Sequence, residues 1–468
     1  MNRKPFTTCA SLAVLLLAGC NLAPAYHPPT TVAIPASFKE APDWAPARPS
    51  DDVARGAWWS LFGDPVLDGL ERKVEVTNQN VAASRAAYQA ARAIVAVQRS
   101  NLFPTVTGSV SAARTEPFSA TSGTDPTTST GSRFALGIGA SWEPDLWGRL
   151  SNAVTQAGAN AQAAAGDLAN ATLSAQGELA TDYVQLRGID DQRVLLDATI
   201  KDYARALTIT TNKYNAGTVA HSDVYQAQTS LANATATRQD LDRQRGLLEH
   251  AIAVLIGENP STFSLAQTDV KPTVPTTPGI LPATLLERRP DIAAAERRVA
   301  AANANIGIQR AAYFPQISLS ANANTDGGSV KQLFSAATSL WSLGLTGLMT
   351  LLDFGARHGQ VMQAHAEYDQ AVATYRQTTL TAFQQVEDNL IATRVLAGVT
   401  KSRITAADSA NRAETIANNQ YLAGIIDYSQ VIVAQTTAFN ARQTQIQAVI
   451  DQQTATIALM QAIGGKWE

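Results

Sequence analysis

The chain has 468 residues, with 36 Lys and Arg against 39 Asp and Glu, a net charge of −3. That balance excludes the clearly basic surface of a nucleic-acid binder, and two cysteines exclude a disulfide scaffold or a four-cysteine zinc site. Only 16% of residues are charged, and no apolar run approaches the roughly 20 residues of a membrane-spanning helix. Taken alone, these figures describe a soluble helical protein.

The N-terminus gives an address. Arg3 and Lys4 precede a short apolar stretch from Ala10 to Ala18, the pattern of a secretory signal over residues 1–19. It closes Leu17–Ala18–Gly19–Cys20, which resembles the lipobox of bacterial lipoproteins. That motif predicts a covalent lipid on Cys20, and no cofactor beyond it. Asn21 stands where an Asp tends to retain lipoproteins at the inner membrane, which favours sorting to the outer membrane. Cys9 falls inside the signal, so the mature chain keeps no free thiol. It has 34 basic against 39 acidic residues.

The chain is written twice. The string beginning at Tyr214, YNAGTVAHSDVYQAQTSL, matches the string beginning at Tyr421 at 8 of 18 positions, at an offset of 207. Gln98–Pro104 matches Gln309–Pro315, and Asp145–Arg149 matches Asp353–Arg357, at nearly the same offset. A tandem duplication explains the ordered series. The expected layout is an N-terminal extended anchor segment over 20–63 and a first repeat over 64–260. A linker over 261–281 and a second repeat over 282–468 follow.

Each repeat has the same internal order. A helix comes first, over Pro65–Leu102 and Pro282–Tyr313, stopped by Pro104 and Pro315, which lack an amide and clash with the preceding turn. A β-hairpin follows, at about 104–143 and 315–352. In the first repeat Val106, Gly108, Val110 and Ala112 alternate with Thr105, Thr107, Ser109 and Ser111. Phe134, Leu136, Ile138, Ala140 and Trp142 alternate with Ala135, Gly137, Gly139 and Ser141. The second repeat sets Ile317, Leu319, Ala321 and Ala323 against Gln316, Ser318, Ser320 and Asn322. It then sets Trp341, Leu343, Leu345, Gly347, Met349 and Leu351 against Ser342, Gly344, Thr346 and Thr350, with Leu348 out of phase. Period two over about ten residues is the strand signal of an outer-membrane barrel. Ser119–Ser132 and Asn324–Ser329 have loop composition.

Long helices come next, over Gly148–Thr210 and Ala356–Asn418. Leu150, Val154, Ala157, Ala161, Ala164, Leu168, Ala171, Ala175, Leu179, Tyr183 and Leu186 repeat in steps of 3 and 4, the spacing of close helix packing. At 1.5 Å per residue such a helix spans roughly 95 Å. Glycine turns at Gly217 and Gly424 reverse the chain into helices over Ser222–Ile256 and Ser429–Ile463. Two hairpins supply four strands, too few to close a membrane barrel, and open edges in lipid leave backbone groups unsatisfied. Several chains must therefore share one barrel; three would make twelve strands.

On these motifs the chain resembles the TolC-like outer-membrane factors, specifically the NodT/OprM-type efflux lipoproteins. The carrying residues are C-N-L-A-P-A-Y from Cys20, W-W-S-L-F-G-D-P-V-L at Trp58–Leu67 and S-W-E-P-D-L-W-G-R-L at Ser141–Leu150. They continue with L-P-A-T-L-L-E-R-R-P-D-I at Leu281–Ile292 and the paired Y-x-A-G turns. The resemblance implies a mixed α and transmembrane β fold. It would be a homotrimer whose 12-stranded β-barrel continues into a long periplasmic α-helical barrel. It also implies a periplasmic membrane-fusion adaptor, an inner-membrane RND-type pump and outer-membrane lipid as partners, with drugs or other small solutes as cargo.

Site roles follow from the same resemblance. Tyr214, Gly217, Thr218, Val219, Ala220, Tyr421 and Gly424 would form the periplasmic tip that meets the adaptor. Asp223 is either an acid that latches the helices by bonding Tyr421, or a solvated acid near a helix N-terminus. Several relatives carry an acid where Val433 stands here. The gate is then apolar, built from Ile425, Ile426 and Val433, or Val433 simply packs between helices. Trp142, Trp147 and Trp341 suit an aromatic belt, or core packing in the case of Trp147. Arg288–Arg289–Pro290–Asp291 reads as a helix start with solvated charge. His358 and His365 lack a ligand set for a metal.

No G-x-S-x-G, H-E-x-x-H or P-loop pattern is present, so no enzyme is expected. The rival readings are a duct for type I protein secretion or metal efflux, a periplasmic adaptor, and an envelope structural protein.

Overall fold

The computed structural model describes residues 21–29, 56–115, 131–268, 273–275, 289–335 and 339–465. The signal sequence, Cys20, most of Ser119–Ser132, much of the 261–281 linker and the Pro282–Arg288 start of the second repeat lie outside the described residues. Besides short 3-10 helices at Trp58–Phe62 and Val330–Phe334, seven α-helices and four strands are described. They are α1 (Pro65–Thr77), α2 (Gln79–Ser100), β1 (Thr105–Thr115), β2 (Gly131–Trp142), α3 (Arg149–Asn215) and α4 (His221–Leu255), followed by α5 (Pro290–Ala311), β3 (Gln316–Gly327), β4 (Ser339–Leu348), α6 (Ala356–Leu422) and α7 (Tyr428–Ala462). None of the helices is long and apolar enough to cross a membrane.

The chain forms two compact units, and each draws on both repeats. Of the described residues, one takes those from 21 to 29, from Tyr88 to Ala164 and from Ala295 to Tyr375; the other takes those from 56 to 87, from Ala165 to Ala294 and from 376 to 465.

The first unit holds the strands. They form one antiparallel sheet in the order β1-β2-β3-β4. Val106 pairs with Ala140 and Val110 with Leu136. Ile138 pairs with Ala323 and Trp142 with Leu319. Leu319 in turn pairs with Leu345, and Ala321 with Leu343. Directly opposed residues share a face, so these side chains make one continuous apolar surface. The other face carries Thr107, Ser109, Ser318, Ser320, Asn322, Asn324 and Ser342, as the alternation requires. A Cβ on Gly137 or Gly139 would collide with the side chains of Asn324 or Asn322, so glycine there gives the amides room. Among the described residues the apolar face lacks cover: Val110 is 81% exposed, Trp341 80% and Leu343 68%.

Two expected loop and strand limits are corrected. Asn324–Gly327 continue β3, because Thr325 pairs with Ser339 and Asp326 pairs with Ala135 and binds Arg133. β4 ends at Leu348, where alternation fails, and not at Leu351. Of the tryptophans, Trp341 lies on the exposed apolar face. Trp142 donates its indole N–H to the Leu102 carbonyl at 3.0 Å. Trp147 donates to the Pro315 carbonyl at 2.8 Å and stacks on Phe314 at 4.7 Å.

In the same unit the residues after Cys20 are strapped down. The Asn21 amide oxygen accepts from Asn152 Nδ2 on α3 at 3.0 Å, and the Pro24 carbonyl accepts from Asn303 Nδ2 on α5 at 2.9 Å. Ala23 passes so close to Gly307 that a Cβ there would sit 2.7 Å from it.

The second unit holds the larger core. Trp58, Phe62, Leu67, Val74, Leu179, Tyr183, Leu186, Ile252, Ile256, Ile457 and Met460 cluster with almost no exposure. The predicted stripe from Leu150 to Leu186 is buried or half-buried at every position.

The first helix is two helices, not one. Apolar spacing runs on through the break, but Asn78 leaves the helical region and its side-chain oxygen caps α2, accepting from the amides of Asn80 and Val81. Arg289 is also corrected. It is not solvated: its side chain is 9% exposed, pairs with Asp291, and reaches Gln385 and the Ala462 carbonyl.

Glu71 on α1 has no exposure, and neither of its oxygens has a partner among the described residues. Burial, with Asp68 one turn away, pushes its carboxyl well above the ordinary 4.5. A raised carboxyl costs nothing below its unfolded pKa, and the cost grows as pH climbs from there. Glu71→Gln is therefore expected to melt above wild type at pH 7–8 and level with it near pH 4. Melting curves at the two pH values check this; a gap independent of pH refutes it.

Candidate functional site

The two turns joining the long helices fold alike. In the first, Gly217 has φ +73°, its amide reaches the Tyr214 carbonyl at 2.8 Å, and the Thr218 amide reaches the Lys213 carbonyl at 2.9 Å. In the second, Gly424 has φ +75°, its amide reaches Tyr421 at 3.1 Å, and the Ile425 amide reaches Gln420 at 2.9 Å. These are Schellman-type endings. Nothing lies within 4 Å of a Cβ on either glycine, so backbone conformation alone demands glycine. The Thr218 hydroxyl adds a second bond to the Lys213 carbonyl. Val219 is half-buried, and Ala220 is extended backbone leading into α4.

The surroundings of the turns differ. Tyr421, Tyr428, Val431 and Ala227 form a buried cluster against Leu207, Ile209 and Ile426. The Tyr421 and Tyr428 rings lie 5.4 Å apart, and the Lys213 ammonium sits 3.7 Å from the centre of the Tyr421 ring. Such a cation over a desolvated ring is favourable by about 1–2 kcal/mol. Burial, then Tyr421, Tyr203 and Asp223, push the Tyr428 hydroxyl up to about 12. At the first turn the rings face solvent: Tyr214 stacks on His221 at 4.5 Å, and His221 lies tilted against Tyr225 at 4.4 Å. Tyr214 is 39% exposed and Tyr225 58%.

The expected latch is not made within the chain. Among the described residues the buried Tyr421 hydroxyl has no hydrogen-bond partner, while Asp223 accepts from Ser222 at 3.4 Å. Lys213 and Tyr428 hold the ring in place instead. Among the residues expected at a gate, Ile425 is 71% exposed and Val433 67%, whereas Ile426 packs into the tyrosine cluster. Lys213, Tyr428, His221 and Tyr225 are parts of the site that motif reading missed. The offset of 207 pairs Tyr428 with His221, and that substitution was the available signal.

The paired turns form a glycine-dependent reversal flanked by aromatic and aliphatic side chains. Together with a sheet bearing one apolar and one polar face, they define the class: an outer-membrane channel protein with long helices. The chain belongs to the outer membrane efflux protein family, whose model matches residues 71–258 and 281–465. It is 29% identical to the solvent efflux pump outer membrane protein SrpC of Pseudomonas putida, over 99% of this chain and 98% of that protein. It is 27% identical to the pyoverdine export outer membrane protein OpmQ of Pseudomonas aeruginosa, over 97% and 96% of the two chains. Among solved structures it is similar to the outer-membrane channel OprN, with 27% identity, a TM-score of 0.86, and 96% and 100% of the two chains covered. The Campylobacter jejuni CmeC channel shares the fold, with a TM-score of 0.84 at 20% identity over 96% of each chain. The protein is thus an outer-membrane efflux component, and its relatives are channels rather than enzymes.

Proposed function

We propose that this chain is the passive exit duct of a tripartite efflux system for small organic solutes. It works as a lipid-anchored homotrimer with a 12-stranded barrel and a helical periplasmic extension. A periplasmic adaptor meets the turns at Tyr214–Ala220 and Tyr421–Gly424, and an inner-membrane RND-type pump delivers the cargo. The observation that carries this reading is the four-stranded sheet, with an uncovered apolar face and two unpaired edges. Such a sheet is stable in lipid only when copies close it into a barrel. The relatives' solvent, antibiotic and pyoverdine cargoes support small organic solutes. Deleting the gene and restoring it on a plasmid tests the proposal. Restored tolerance to solvents and antibiotics is expected, with a heat-modifiable trimer in the outer-membrane fraction. A monomer that becomes soluble without its lipid overturns it.

The gate in this reading is apolar. Ile425 and Val433 line it and close it partly by excluding water. Planar-bilayer conductance is expected to show only weak block by trivalent cations at the periplasmic side, and Val433→Asp to create strong block. Strong block of the unaltered channel would show an acidic ring instead.

A further inference from the structure

The end of the sheet where β1 begins and β4 finishes carries an apolar segment that the chain itself leaves bare. Between β4 and α6, Leu351 is 86% exposed, Leu352 71% and Phe354 93%. Phe354 is also the one non-glycine residue with positive φ among those described, at 50°. A bulky residue held there is strained by about 1–3 kcal/mol. Asp353 fixes the corner: its carboxylate accepts from the Gly355 amide at 3.1 Å, the Arg357 amide at 3.3 Å and the Arg357 side chain. Both corners hold a glycine at positive φ, Gly148 in the first repeat and Gly355 at 95° in the second, but the first tucks Trp147 against Phe314. The second corner instead turns its aromatic ring out. At the same end of the sheet Phe103, just before β1, is 68% exposed.

Topology says what lies opposite. The sheet is antiparallel throughout, and β1 and β4 are its edges. Copies set edge to edge therefore pair β4 of one with β1 of the next in the same antiparallel sense. This contact is head-to-tail and can close a ring. It brings the end of β4 beside the start of β1 in the neighbour. We infer that Leu351, Leu352 and Phe354 of one copy pack on Phe103 of the next copy, forming an apolar collar that joins copies at the base of the barrel. The inference rests on the ring of copies proposed above. It accounts for the strain, because φ near +50° aims the ring away from its own chain, where a second copy covers it.

Phe354→Gly separates this joint from a local structural role. Glycine accepts positive φ freely, so within one chain the change relieves strain and leaves folding unchanged or better. Across a joint it removes the packed ring. The expected result is a trimer that dissociates in detergent several degrees below wild type. A second test places Phe103→Cys and Leu352→Cys in one chain and adds a short bis-maleimide. Covalent dimers and trimers are expected from the pair and not from either single variant. Should Phe354→Gly fail to accumulate, the cysteine pair decides. A trimer of the double-cysteine chain that gives no cross-link, or a Phe354→Gly trimer as heat-resistant as wild type, overturns the joint and leaves the ring to lipid. A wild-type chain that runs as a monomer overturns the barrel reading along with it.

Discussion

Replacing Asp190 with alanine is expected to cost the helical unit about 3–5 kcal/mol, the usual penalty for stranding buried charges. Asp190 on α3 is 4% exposed and accepts from three guanidinium groups: Arg187 at 3.3 Å, Arg193 at 3.2 Å and Arg245 at 2.8 Å. Arg187 is 5% exposed and also reaches the Ala266 carbonyl at 2.9 Å, while Arg245 reaches the Leu265 carbonyl at 2.6 Å. The network continues upward. Arg187 stacks on Tyr183 at 4.8 Å, and the Tyr183 hydroxyl donates to Asp64 at 2.6 Å. Asp64 in turn caps α1 through the amides of Val66 and Leu67. One carboxylate thus sits between α3, α4 and the segment that follows α4. Without it, Arg187 keeps only the Ala266 carbonyl and the Tyr183 ring, so its desolvation is no longer offset, while Arg245 retains Glu249 and Arg193 retains Asp242. The midpoint of heat unfolding, followed by circular dichroism, measures the loss. Asp190→Asn keeps the shape and should fall between wild type and alanine. An alanine variant that melts within a degree of wild type would show the network to be energetically idle.

The second large effect concerns the two faces of β4. Leu343→Arg is expected to cost about 2–4 kcal/mol per chain, the range for a cation on the lipid face of a barrel near mid-membrane. Ser342→Arg, one residue earlier, projects from the opposite face and should be tolerated. Both positions are in register with β3, Leu343 opposite Ala321 and Ser342 opposite Asn322. Backbone pairing is therefore equally preserved, and only the medium met by the charge differs. The amount of each variant in the outer-membrane fraction, and the heat-modifiable band it gives, reads the contrast. Equal yields for the two would mean that neither face meets lipid.

The parts of this fold that were legible in sequence are those set by local period. Alternation assigned the faces of all four strands, because a one-residue error would have moved every apolar side chain to the other side. It failed where an edge strand stops, at Leu348, since nothing local tells a last strand residue from the first of an apolar loop. The steps of 3 and 4 along α3 gave its buried stripe. The break at Asn78 was missed because apolar spacing continues through it, although an Asn one residue before a helix start is a capping signal. The glycines of the tip were legible from backbone need. The environment of Tyr421 was not, because Lys213 and Tyr428 reach it through tertiary contact. The Asp190 network was invisible for the same reason: Arg245 lies 55 residues away in sequence.

The duplicated turns carry an evolutionary consequence. Their backbones are superimposable in kind, yet three equivalent positions hold Tyr214, His221 and Tyr225 in solvent and Tyr421, Tyr428 and Ile432 at least half-buried. Recombination between the halves would carry an imidazole into the place of Tyr428, which is 2% exposed. An imidazole is smaller than the phenol it replaces and leaves a void in the buried cluster, and its charged form is desolvated there. Sequence exchange between the copies is therefore penalised by protein stability. Once the two turns parted in polarity, each half of the gene was committed to its own lineage.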